Sequence, residues 1–84
     1  MDRRIGVIGI VVADRENTAR RINGILSEHG DIIVGMMGIP YRERNISIIS
    51  LIIDGSTDEI GALTGKIGSL KGVRVKTALV AKEL

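Results

Sequence analysis

Moved 41 positions along, this sequence falls on a copy of itself: Ile10 on Leu51, Val11 on Ile52, Ile22 on Leu63, Leu26 on Ile67, Ile32 on Val73 and Val34 on Val75. Self-similarity at a fixed offset indicates one supersecondary unit built twice. In the first copy Ile5 to Ala13 is an unbroken apolar run rich in β-branched residues, which reads as a buried strand. From Asp14 the period lengthens to that of a helix, with Ala19, Ile22, Ile25, Leu26 and His29 on one face. Asp14 or Asn17 stands where a cap belongs, and Gly30 suits the position just past the helix end. "DIIVGMMGI" (31–39) supplies the second strand. In the second copy "NISIISLIID" (45–54) is a strand and "GS" a turn. Ser56 with Glu59 three residues on is a capping box, opening a helix with core stripe Ile60, Leu63, Ile67 and Leu70, which Gly72 ends. "VRVKTALVA" (73–81) is the last strand.

Strand, helix, strand, twice, predicts an α+β ferredoxin-like βαββαβ sandwich: one domain over 1–84, a four-stranded antiparallel sheet with two helices on one face. The strands then raise a difficulty. In the first, Ile5, Val7 and Val11 point one way and Ile8, Ile10 and Val12 the other; in the third, Ile46, Ile48 and Ile52 oppose Ile49, Leu51 and Ile53. Both faces are oily, and two helices cover only one. At 84 residues a single core is marginal, so oligomerisation is the expected remedy, by sheet stacking, a shared edge strand, or both.

Composition removes whole classes of chemistry. Cys is zero, which excludes disulfides, thiolate metal sites, iron–sulfur ligation and a cysteine nucleophile, and fits a reducing cytoplasm. Aromatic content is 1%, so the central strands carry Val, Ile and Leu where an RNA-recognition sheet needs rings for base stacking. His29 is the only histidine and the acids are dispersed, so no metal set is nominated. "GALTGK" fails as a phosphate loop, because Ile60 occupies the required glycine position and Ile67 follows Lys66. No catalytic motif surrounds any serine. "MDRR" followed by "IGVIGIVVA" has the shape of a short signal peptide, but the pattern returns at "ISIISLIID" in mid-chain, so a strand is expected in both places. No apolar run approaches the ~20 residues of a membrane span.

Two loops and one helix flank remain. "ADREN" (13–17) joins the first strand to the first helix, where exposed amides and the helix dipole meet Arg15; Asp14, Arg15 and Asn17 are candidate effector-binding residues, with a capped, solvated turn as the plainer account. "GIPYRERNISII" (38–49) holds the only proline and tyrosine; Pro40 should mark a strand end, Tyr41 lies in the loop, and Arg42, Glu43 and Arg44 form a charged bend. Pro40, Tyr41 and Arg42 are candidate oligomer or partner contacts. So are Gly61, Gly65 and Gly68, which line one flank of the second helix at a helix-weakening cost.

Nearly the whole chain resembles the iron-only hydrogenase system regulators, ACT-like domains that are also similar to the C-terminal domain of the nickel-responsive regulator. "VVADRENTARRIN", "GIPYRERNISII" and "IGALTGKIGSLKGVRVKT" carry the resemblance. It implies a homo-oligomeric regulatory module associated with assembly or control of the hydrogenase; together with the fold argument and the absence of Cys, the expectation is a non-enzymatic, cytoplasmic dimer or tetramer that binds a small-molecule effector or a protein partner, with no cofactor. The alternatives are a small dimeric ferredoxin-like enzyme and a pure protein-interaction subunit. The chain departs from its relatives at three points. Amino-acid-binding ACT domains often carry Asp-Arg-Pro-Gly where this chain has Asp14, Arg15, Glu16 and Asn17. The nickel regulator's several His and a Cys, and its DNA-binding ribbon-helix-helix, have no counterparts here.

Overall fold

The computed structural model describes residues 3–13 and 16–81. Strands β1 (Arg3–Ala13), β2 (Ile33–Tyr41), β3 (Ile46–Ser56) and β4 (Val73–Ala81) form one antiparallel sheet in the order β2-β3-β1-β4. Helix α1 (Glu16–Glu28) joins β1 to β2, and α2 (Thr57–Gly68) joins β3 to β4. The expected βαββαβ order and antiparallel four-stranded sheet are both present. The run from Ile5 to Ala13 is one of the two central strands. No helix among the described residues is long and apolar enough to cross a membrane.

Alternation along the strands decides which side chains meet the helices. Ile8, Ile10, Leu51 and Ile53 are 0% exposed, and they pack with Ile22 and Leu26 of α1 and Ile60, Leu63 and Ile67 of α2. Their neighbours Val7, Val11, Ile48 and Ile52 are 40, 38, 40 and 49% exposed on the opposite side. The two-faced reading of β1 and β3 is therefore correct, and the second face is bare in the single chain.

The second copy of the repeat opens as its capping box predicts. The Glu59 amide donates to Ser56 Oγ at 3.1 Å, and the Ser56 amide donates to Glu59 Oε1 at 2.9 Å, so two otherwise orphaned donors at the start of α2 are satisfied. Gly72, at φ 82°, turns the chain into β4 and accepts the Ala13 amide at 2.8 Å. Gly55 is favoured by close approach: a Cβ there would stand 3.0 Å from Ile32 Cγ2, tight enough that Ile32 would have to shift.

Several boundaries differ from expectation. Gly30 does not take a left-handed cap; Gly30–Ile32 form a 3₁₀ turn that swings Ile32 into the core, so β2 begins only at Ile33. Gly55 and Ser56 belong to β3 rather than to a turn, because Ser56 must be extended (φ −70°, ψ 159°) to cap α2. Asn17 lies inside α1 rather than ahead of its first residue. Ala19 is exposed, leaving Ile22 and Leu26, with Ile25, as the stripe of α1. Tyr41 is the last residue of β2, paired with Ile46, and not in the loop.

Candidate functional site

Where α1 passes over the β2 edge of the sheet, the residues are too small to close the space. Ala19 and Gly38 leave a groove of about 200 Å³ between helix and sheet, lined by Val12, Ile22 and Ile49, with Ala13 and Ile39 at its margin. A Cβ on Gly38 would meet only Ile49 Cγ1, at 3.9 Å, so the glycine leaves real volume. Pro40 lines the same groove, on an edge strand where its missing amide costs no ladder bond. Two polar side chains, Asn23 from α1 and Ser47 from β3, enter an otherwise aliphatic wall. An apolar concavity with a few polar handles is the usual form of a small-molecule site.

The candidates named from sequence are separated by the fold. Asp14 and Arg15 lie outside the described residues. Asn17 is exposed and lines an open cleft with Thr18, Arg20, Arg21, Leu70 and Lys71, on the basic side of the same helix start. Pro40 reaches the groove and also lines a second cleft at the bend with Arg42, Asn45, Ile46 and Ser47, so Arg42 is beside Pro40 but not in the groove. That bend is the expected charged turn: Arg42–Arg44 form a 3₁₀ turn closed by Asn45 at φ 53°, a left-handed position that asparagine tolerates. Gly61, Gly65 and Gly68 face open space, with nothing within 4 Å of a Cβ on any of them.

The charged pairs lie away from the groove, which is lined by no ionisable side chain. Glu59 is held below the usual carboxylate range by hydrogen bonds from the Ser56 backbone and hydroxyl, with Arg3 adding to the effect. Arg3 also donates to the Asp54 carboxylate at 3.3 Å, and Lys66 bridges the helices to Glu28 at 3.2 Å. Both pairs are solvated and contribute little to stability. Among the described residues no three His, Cys, Asp or Glu side chains cluster as a metal site would need. The one side-chain polar atom shielded without a partner among them is His29 Nε2.

The family model of TM1266-like iron-only hydrogenase system regulators matches residues 4–77. The chain belongs to this family. Among solved structures, the uncharacterized protein TM1266 from Thermotoga maritima is 41% identical and superimposes with a TM-score of 0.93, over 95% of this chain and 100% of its own. The ACT domain of GTP pyrophosphokinase from Chlorobium tepidum aligns at a TM-score of 0.75 with 23% identity, over 90% of this chain and 99% of that one. The C-terminal domain of MgtC from Mycobacterium tuberculosis aligns at 0.65 with 13% identity, over 92% and 87%. These last two share the ACT-like ferredoxin fold with the chain. No curated protein matches.

The groove residues Ala19, Asn23, Gly38 and Ser47 were not legible as a site. Their only sequence signal is size: a small residue on the flank of a helix, beside a small residue on an edge strand, leaves a gap.

Proposed function

We propose that this member of the family is a non-enzymatic, cytoplasmic, homo-oligomeric regulatory module, dimer or tetramer, which reads a small effector in the groove between α1 and β2. The aliphatic groove is the observation that carries this reading: its volume suits a compact apolar body, and Asn23 and Ser47 supply directional hydrogen bonds. Ala13 lines the groove, and Asp14, Arg15 and Asn17 follow it in sequence, so the polar head of such an effector would be met at the β1–α1 turn. Regulation of the iron-only hydrogenase system is the role that membership of the family suggests.

A thermal-shift panel of amino acids, nucleotides and divalent metals tests the effector. A ligand of the folded state alone stabilises it by about 2.7 kcal/mol at a hundredfold excess over Kd. Gly38→Val, whose Cβ would make only an ordinary contact with Ile49, should fold and lose the shift. An equal shift in wild type and Gly38→Val would move the site elsewhere. Silence across the panel would favour a pure protein-interaction subunit.

A further inference from the structure

We propose that a second copy of this chain covers the bare face of the sheet, related by a two-fold axis running along the strands, so that β4 of each copy lies over β2 of the other. The inference rests on the homo-oligomeric reading above and gives it a geometry.

Size is the first argument. Two central strands of 11 residues and two edge strands of 9, at about 3.3 Å per residue and about 4.8 Å apart, give a face of roughly 630 Å². The longest dimension of the molecule, 40 Å, agrees with that strand length. A stable interface takes about 800 Å² from each partner, so one copy of the same face nearly supplies what is required. Sheets stacked face to face keep their strands within about 30° of each other, which lets two such rectangles overlap along their length.

Charge then selects the axis. Register places Arg74 level with Val11 and Lys76 level with Gly9, so both cations stand on the bare face along β4. Neither enters an ion pair among the described residues. At the opposite edge, β2 brings Met37, Ile39 and Tyr41 to the same face, level with Ser50, Ile48 and Ile46, and no charge. An axis across the strands would lay β4 on β4 and line up four cations, with no acid between them, along one edge of the stack. An axis along the strands lays β4 on β2. Lys76 then runs its stem over Met37, and Arg74 meets Ile39 with the chain's one aromatic ring, Tyr41, about 7 Å further along, within reach of a guanidinium. The face is complementary to itself in this orientation and repels itself in the other.

The full chain has no cysteine, so introduced thiols are unique. Stacked sheets are about 10 Å apart, which a bis-maleimide of similar reach can span. The double variant Arg74→Cys with Ile39→Cys should give a covalent dimer on a denaturing gel, and Arg74→Cys alone should not; dimer from Arg74→Cys alone would overturn the axis. Val7→Asp, at a position already 40% exposed, should keep its circular dichroism and fall to monomer mass by light scattering. A Val7→Asp dimer would overturn the choice of face and leave the oligomeric reading standing. A monomeric wild type would overturn both, as would a wild type that gains mass only when poly-glutamate is added.

Discussion

Ser56 and Glu59 hold the start of α2 by reciprocal hydrogen bonds, and the effect of each is separable. Ser56→Ala should cost about 1 kcal/mol in urea unfolding, the usual loss when a cap hydroxyl is removed. Glu59 is half-buried and its folded-state pKa is lowered, so its contribution is present above the usual carboxylate range and fades as the pH falls through the lowered value. The gap in stability between wild type and Glu59→Gln should therefore narrow from neutral pH toward strong acid; a gap independent of pH would refute the assignment. This pair was legible in the sequence because its spacing alone specifies the contact. Gly55 was not: its neighbour Ile32 arrives from a distant turn, and nothing local announces a 3.0 Å approach.

Among elements, all four strands and both helices were found in order, and it was their boundaries that the sequence left loose, as in β2. "DIIVGMMGI" is apolar throughout, so its pattern does not fix where the strand begins; the 3₁₀ turn over Gly30–Ile32 and the irregular register between Ile33 and Gly35 set that instead. The same ambiguity hid the groove, which exists only once α1 is laid beside β2. On α2 the glycine flank makes a sharp test. Gly65 has nothing within 4 Å, so in the proposed stack Gly65→Ala should stabilise the fold by about 0.5–1 kcal/mol and leave the assembly intact. Destabilisation, or a change in mass, would place another chain against that flank.

For the molecule as a whole, counting faces in two strands was enough to show that the helices leave one side of the sheet uncovered, because strand alternation needs no tertiary information. What the alternation cannot carry is which surface covers that side, since any oily partner satisfies it equally; Arg74, Lys76 and Tyr41 narrow the choice only after the register is known. Filling the groove and breaking the stack should also be independent, so Gly38→Val is expected to keep the native mass while losing any effector response. The most direct test of the account is sedimentation of the wild-type chain at micromolar concentration. A dimer or a higher even-numbered assembly is predicted, and a folded monomer with its apolar sheet face in water would contradict it.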